Sequence, residues 1–334
     1  MSAQTLPARV ETAESVSDHF VLGYRPALDG LRGIAILAVL AVHTNHLFGW
    51  SLLKAGNNGV DIFIVLSGFL ITSILLSEWG KTGSISLKNF YLRRCLRLVP
   101  ALALLVVAVS LTAGFLLSAD EAAQTRRAVP FALLYITDFV IAFDPSIQLG
   151  ALRHTWSLAM EEQFYLLWPP LLILMLKAGA SRKQLVWLAL SLALLSALHR
   201  AALYQSGASL ARTYYGFDAR ADALLIGCVA GMLVTWDLIN GMRSATGPAV
   251  LLVVLLLFAS DYATPFMHAG GFTLLAFATA LIVINVVTAE TRVFRLILES
   301  APLVWIGRIS YGVYLWHYPV FKSLKYLSVP LPVK

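Results

Sequence analysis

The stretch LDGLRGIAILAVLAVHTNHLF, residues 28–48, decides the fold, because it is long enough to cross a membrane and yet contains ionisable side chains. A spanning helix needs about 20 mostly apolar residues. Arg32 and His43 interrupt this run 11 positions apart, which places them on one helical face, roughly 16 Å apart along the axis. Because charge is costly inside a bilayer, such groups face a bundle interior or a wet cavity. We therefore expect a polar stripe that lines an internal site.

The stripe extends at both ends of the segment. Asp29 lies one turn before Arg32, and His46 lies one turn after His43. A purely structural interpretation also stands: His43 could hydrogen-bond a neighbouring helix, and Asp29 could cap its own. Periodicity alone leaves both interpretations open.

The composition extends the membrane assignment to the whole chain. Of 334 residues, 59% are hydrophobic and 13% are charged, whereas soluble domains are about half apolar and about a quarter charged. We expect a mobile cytosolic tail over residues 1–27, a transmembrane domain over 28–328 and a short tail over 329–334. The N-terminal tail lacks the apolar region of a secretory signal peptide.

The predicted fold is an all-α integral membrane bundle of about ten transmembrane helices. The fourth candidate is short and could be tilted, partly buried or re-entrant. Lys and Arg in the loops, above all in residues 79–98, favour cytosolic N- and C-termini. The candidate spans are 28–48, 59–78, 99–118, 129–143, 155–177, 185–204, 222–238, 248–263, 271–289 and 303–327.

Charge and cysteine content exclude several classes of partner. The net charge of +7 is better explained in a membrane protein by loops against anionic lipid than by nucleic acid. Cys95 and Cys228 stand alone, without a CxxC or Cys/His cluster, so we expect neither a disulfide scaffold nor a metal site.

A basic cluster, NFYLRRCLRLVP at residues 89–100, precedes the third span. It contains Arg93, Arg94 and Arg97 and predicts a short interfacial helix on the cytosolic side. Guanidinium groups match phosphate geometry, so the cluster could clamp a phosphorylated ligand. Lipid anchoring explains it equally well.

A third segment, HTWSLAMEEQFYLLWPP at residues 154–170, carries an acid inside a span. His154, Ser157, Glu161 and Tyr165 follow offsets of 3, 7 and 11, which predicts one helical face. Glu161 could act in the site or serve as a structural ion-pair partner of one of the arginines.

Two later segments have simpler explanations. Local ion pairing and N-capping by Asp222 would account for the charged residues of YYGFDARADALLIGC, which also include Asp218 and Arg220. The segment GRISYGVYLWHYPVF places Arg308 and His317 in the last span, together with tyrosines that could be interfacial aromatics: Tyr311, Tyr314 and Tyr318.

Taken in order, the segments resemble the membrane acyltransferase 3 family, which includes bacterial O-antigen and exopolysaccharide O-acetyltransferases. The resemblance covers about residues 24–322 and rests on YRPALDGLRGIAILAVLAVH, GVDIFIVLSGFLI, FYLRRCLRLVP, HTWSLAMEEQFYLLWP, RADALLIG and ISYGVYLWHYPVF. It implies ten helices in the bacterial inner membrane, with both termini cytosolic. It also implies an acyl-CoA donor, with acetyl the expected group, and a carbohydrate acceptor. Some relatives carry a further SGNH hydrolase-like domain, whereas this chain stops at Lys334.

The resemblance also implies roles for individual residues. The family's pattern of arginine, ten residues and histidine falls on Arg32 and His43, and its glutamate falls on Glu161 rather than Glu162. These three are the expected catalytic residues. The RxxR pattern falls on Arg94 and Arg97, which with Arg93 are expected to bind the donor. We expect substrate contacts from His154, Tyr165, Ser67, Gly68, Asp29 and His317.

These assignments predict that His43 removes the proton of the acceptor hydroxyl while the hydroxyl oxygen attacks the thioester. An acyl-His43 intermediate stays open, and Arg32 would hold the pantetheine end or stabilise developing charge. Other acceptors also stay open, namely a lipid, peptidoglycan or a secreted small molecule. A second alternative is that the protein is a polysaccharide or lipid transporter, since transporters also have ionisable residues near the membrane midplane. The sequence leaves the oligomeric state undetermined.

Overall fold

The computed structural model describes residues 23–48, 55–239, 246–288 and 292–327, and in these ranges every regular element is helical. The α-helices are α1 (Pro26–Phe48), α2 (Gly59–Thr82), α3 (Leu87–Leu116), α4 (Ala119–Leu133), α5 (Thr137–Phe143), α6 (Trp156–Lys177), α7 (Arg182–Gln205), α8 (Leu210–Tyr215), α9 (Phe217–Thr235), α10 (Thr246–Ala259), α11 (Phe272–Thr288), α12 (Arg292–Leu298) and α13 (Ala301–Leu327). A 3₁₀ turn, Gly150–Thr155, precedes α6, and a π-helical turn, Met267–Gly271, precedes α11. The predicted tails lie almost entirely outside the described residues.

Within the described ranges, five segments are long and apolar enough to cross a membrane: Pro26–Thr44, Gly56–Thr82, Leu87–Leu116, Arg182–Gln205 and Met267–Thr288. The expected all-helical, multi-span class is therefore confirmed, but the count of about ten spans is not. Three further helices, α6, α9 and α13, are 22, 19 and 27 residues long and carry the polar side chains described below.

Helices α1 and α13 pack in parallel through glycines. A Cβ atom at Gly33 would lie 2.4 Å from the carbonyl oxygen of Leu303, and one at Gly307 would lie 1.7 Å from that of Asp29. Farther along, the rings of His43 and His317 meet at 4.9 Å. We call the end of the bundle at which α1 begins the proximal face and the end at which α1 ends the distal face. Because α1 and α13 are parallel, α13 ends at the distal face; the two termini, for which a common side was expected, lie outside the described residues.

Helix α9 is the centre of the bundle, and it packs in parallel on α2. A Cβ at Gly68 would lie 2.0 Å from the carbonyl oxygen of Leu224, and one at Gly227 would lie 2.2 Å from that of Val65. Most α9 side chains are buried around the full circumference of the helix, as expected for a helix that is apolar on all sides. Both helices run from the distal to the proximal face.

Two ion pairs are sealed in this core. Arg220 of α9 pairs with Asp61 of α2, and Arg200 of α7 donates to Asp222 of α9 at 2.9 Å. All four side chains are fully buried. The sequence-based expectation of local pairing is therefore wrong for Arg220 and Asp222, whose pairs join different helices, and Asp222 is not an N-cap, because α9 begins after Gly216. Local pairing does hold for Asp218, which accepts from Arg212 six residues earlier.

The fourth predicted span, 129–143, is a break between two short helices. α4 ends at Leu133, Tyr135 has a left-handed φ of 53°, and α5 begins at Thr137. The chain then returns to where α4 began, because the backbone N–H of Ala151 donates to Oγ1 of Thr125 at 2.9 Å. This segment is thus a pair of short helices that returns to the end of the bundle from which α4 started, so that α1 and α13 point the same way.

The basic cluster is also placed differently from the prediction. Residues 89–98 form no separate interfacial helix, since α3 runs unbroken over 30 residues with Pro100 inside it. The arginines therefore lie on the first turns of a long helix and are fixed relative to its inner part.

Candidate functional site

Two cavities lie in line inside the bundle, one towards each face. The proximal cavity, of about 180 Å³, is lined by three arginines and two adjacent glutamates: Arg32, Arg94, Arg97, Glu161 and Glu162. It brings together residues of α1, α3 and α6 that are distant in sequence. Arg93 is exposed and does not line it.

The two adjacent glutamates have different partners. Glu162 accepts from Arg94 at 3.2 Å, and the Arg94 guanidinium lies 3.4 Å from the centre of the Tyr165 ring. Glu161 accepts instead from the hydroxyls of Ser67, at 2.7 Å, and Tyr165, at 3.0 Å. The arginine ion pair considered for Glu161 therefore belongs to Glu162. Glu161 is held by neutral donors, with Ser67 and Tyr165 directed at it.

The remaining charged side chains near the proximal cavity form a series that leads towards the proximal face. Arg32 lies 3.7 Å from Asp29, which also lies 3.9 Å from Arg308. Among the described residues, Arg97 has no carboxylate within ion-pair distance although it lines the cavity. An uncompensated guanidinium at a cavity mouth is the arrangement that attracts an oxyanion.

The distal cavity, of about 510 Å³, contains His43. It is lined mainly by aromatic rings and basic side chains, namely Trp156, Tyr214, Tyr215, Tyr262, Tyr318, Phe321, Arg153, Lys322 and Lys325, together with His154. The predicted face of His154, Ser157 and Glu161 is thus divided. His154 lies in the 3₁₀ turn and faces the distal cavity, while Ser157 and Glu161 line the proximal one.

Hydrogen bonding fixes the tautomer of His43. Its Nδ1 lies 2.8 Å from the carbonyl oxygen of Val39, and a carbonyl oxygen can only accept, so Nδ1 carries the proton. In the neutral ring Nε2 therefore has the lone pair, which is the state a general base requires. His317 makes the same bond, from Nδ1 to the Tyr314 carbonyl at 2.6 Å.

Three histidines from separate elements, His43, His154 and His317, lie close together. The His317 ring is 4.9 Å from that of His43 and 5.5 Å from that of His154, in edge-on arrangements. His154 and His317 are 4% and 5% exposed. His317 therefore lies beside His43, whereas the side chain of His46 lies outside the described residues.

Tyr314 forms the wall between the cavities. Among the described residues, Tyr314 and Val60 line both of them. The Tyr314 hydroxyl donates to the carbonyl oxygen of His154 at 3.0 Å and accepts from Ser157 at 2.6 Å. The aromatic spacing of α13 was visible in the sequence, but only the bundle shows that it divides two chambers.

Gly68 lies at a helix contact, whereas Asp29, Arg93 and His317 are the other predicted site residues of the described ranges that line neither cavity. Gly68 faces the carbonyl oxygen of Leu224 at the α2–α9 contact and does not line either cavity. Its function in the fold is close helix packing, for which a small residue is required.

Comparison with known proteins gives a consistent result. An acyltransferase domain model matches residues 25–333. The chain is 38% identical over 314 residues to a peptidoglycan O-acetyltransferase of Listeria monocytogenes, covering 89% of this chain and 49% of that protein. It is 36% identical over 314 residues to a putative peptidoglycan O-acetyltransferase of Bacillus subtilis, covering 89% and 48%. It is 33% identical over 329 residues to a putative O-acetyltransferase of Staphylococcus aureus, covering 93% and 53%. The chain thus spans about half the length of these relatives, and no solved structure matches it significantly.

Proposed function

Because this chain belongs to the acyltransferase domain family, and is therefore an enzyme that transfers acyl groups, we propose that it is a multi-pass O-acetyltransferase of the bacterial inner membrane. It takes the acyl group, expected to be acetyl, from acyl-CoA at the proximal face. The acceptor is a hydroxyl of a surface or cell-wall carbohydrate at the distal face. Two relatives are named for peptidoglycan, which supports a cell-wall glycan.

The observation that carries this proposal is the pair of cavities in line. A basic proximal cavity, in which Arg97 has no carboxylate partner in the described ranges, supports binding of a phosphorylated donor. A larger aromatic distal cavity that contains a histidine with its lone pair on Nε2 supports an acceptor hydroxyl and its deprotonation.

Orientation follows from the distribution of positive charge. The described proximal ends carry Lys81, Lys88, Arg93, Arg94, Arg97, Lys177, Arg182 and Lys183. By the positive-inside rule this supports a cytosolic proximal face, where acyl-CoA is available. Helices α6, α9, α10 and α13 then also cross the membrane, and the distal cavity opens towards the outside.

The chemistry follows from this placement. Nε2 of His43 accepts the proton of the acceptor hydroxyl while the oxygen attacks the thioester carbonyl carbon. The carbon–sulfur bond breaks, and the thiolate leaves as free CoA once protonated. Arg94 and Arg97 hold the donor phosphates, and Arg32 stabilises charge along the route between the cavities. Glu161 keeps Ser67 and Tyr165 in place beside that route.

The test is acetyl-CoA turnover by the purified protein in lipid nanodiscs with isolated cell-wall glycan. His43→Ala is expected to lower the release of CoA by about 10²-fold or more, the contribution of a general base. His199→Ala is the matched control, since His199 is exposed and pairs with Asp218 outside both cavities. Full turnover in folded His43→Ala would remove the role given to His43. Glycan movement without CoA release would favour a transporter.

A further inference from the structure

Within the described residues, the arginines that are buried or half-buried have a carboxylate partner, with one exception at the distal cavity; Arg97, which also lacks one, is exposed. Arg200 and Arg220 pair with buried aspartates, and Arg94 pairs with Glu162. Arg32 has Asp29 nearby. A charged group taken out of water needs such a partner, because the desolvation cost is otherwise several kcal/mol (order of magnitude).

Arg153 is the exception. It lines the distal cavity next to His154 and is half-buried. Its guanidinium lies 5.2 Å from the centre of the Tyr215 ring and reaches the Tyr215 hydroxyl at 3.5 Å. No ion pair in the described part of the chain includes it. A phenol hydroxyl and a ring face compensate a full positive charge only in part.

The other charges around this cavity do not compensate Arg153. Lys322 is bonded to Glu121 at 2.6 Å. The acid that lines the cavity, Asp261, is exposed and accepts from the backbone N–H of Ala263. The cavity wall therefore has a fixed positive group on its inner side whose planar fork matches an oxyanion.

The rest of the wall fits a sugar ring. Trp156, Tyr214 and Tyr215 pack together at ring separations of about 5 Å. Such rings combine apolar faces with polar edges, which complement the C–H face and hydroxyl rim of a pyranose. A volume of about 510 Å³ accommodates a disaccharide-sized ligand.

From these observations we propose that the distal cavity binds an acidic carbohydrate, whose carboxylate or phosphate pairs with Arg153 while a hydroxyl of the same glycan lies at His43. This inference deepens the proposed function, because it names the class of the acceptor. Arg153 then acts as a specificity determinant, since a neutral glycan would leave its charge unpaired.

The test compares binding of matched probes to the full chain in lipid nanodiscs by isothermal titration. The probes are the disaccharide N-acetylglucosaminyl-N-acetylmuramic acid, its methyl ester and a phosphorylated N-acetylglucosamine disaccharide. The acid or the phosphate is expected to bind about tenfold or more tightly than the neutral ester, as for a charged hydrogen bond. Whichever of the two binds more tightly identifies the anionic group.

Two variants test whether Arg153 causes the preference for the anionic probe over the neutral ester. Arg153→Gln should bind acid and ester alike, whereas Arg127→Gln, at an exposed arginine outside the cavity, should keep the preference. The proposal would be overturned if neither anionic probe bound the unaltered protein more tightly than the neutral ester, or if the preference for an anionic probe survived Arg153→Gln. This titration measures binding only, whereas the CoA-release assay tests the acyltransferase chemistry. Failure of one proposal can therefore be distinguished from failure of the other.

Discussion

Replacing Gly68 by alanine should destabilise the protein without any direct effect on substrate. The added Cβ would lie 2.0 Å from the carbonyl oxygen of Leu224, whereas ordinary contact begins at 3.4 Å. The α2–α9 pair would therefore have to separate by about 1.4 Å along its closest contact. The opposing atom is backbone and cannot rotate away, so we expect a cost of about 3 kcal/mol or more, at the upper end for overpacking.

The assay is thermal unfolding of the purified protein in nanodiscs, followed by intrinsic fluorescence, with CoA release measured on the same samples. A cost of that size corresponds to a fall of roughly 5 °C or more in the apparent unfolding temperature. Gly312→Ala is the matched control: Gly312 is an exposed helix residue with no neighbouring atom within 4 Å of an added Cβ. It should be neutral or stabilising by up to about 1 kcal/mol.

A particular result would refute this reasoning. If Gly68→Ala unfolds at the temperature of the unaltered protein and yet loses acyl transfer, Gly68 contacts substrate, as the sequence alone predicted. Loss of both stability and activity, with Gly312→Ala unaffected, supports the packing role.

Three further substitutions test the cavities and the core. Tyr314→Ala should raise acetyl-CoA hydrolysis in the absence of acceptor severalfold, because water in the distal cavity then reaches the donor; an unchanged rate would contradict the role of Tyr314 as a wall. Arg97→Gln should weaken acyl-CoA binding about tenfold and flatten its salt dependence, while Arg93→Gln, exposed outside the cavity, should bind as before in the same titration. Asp61→Asn leaves Arg220 buried without its charge partner and should cost about 3–5 kcal/mol in a thermal unfolding assay; a fully stable variant would show that the pair contributes nothing.

The sequence predicted most helices to within a few residues, because their apolar runs are long. α1 was expected at 28–48 and occupies Pro26–Phe48, and the last span was expected at 303–327 and occupies Ala301–Leu327. The prediction from the sequence failed where a short apolar run contains a reversal of chain direction. Residues 129–143 read as one segment, but the left-handed turn at Tyr135 is held by contacts that only the folded chain makes.

The candidate site was predicted as a set of residues, but its division into two chambers was not. Spacing places Arg32 and His43 on one face of α1, and the structure puts them in different cavities on that face. The partners of Arg220, Asp222 and Arg94 were not predictable, since each pair joins helices that are distant in the chain. Such pairings depend on helix register, which glycine contacts set and hydropathy does not encode.

The parallel packing of α1 and α13 has a practical consequence for anything attached to this bundle. In the proposed membrane placement, a reporter fused ahead of α1 and one fused after Leu327 are expected to report opposite compartments, although the two helices lie side by side. In any longer chain that continues past α13, the added part starts beside the distal cavity. If the proposed function holds, a domain tethered there would meet the proposed product, an acylated glycan, at high effective concentration and without crossing the bilayer itself.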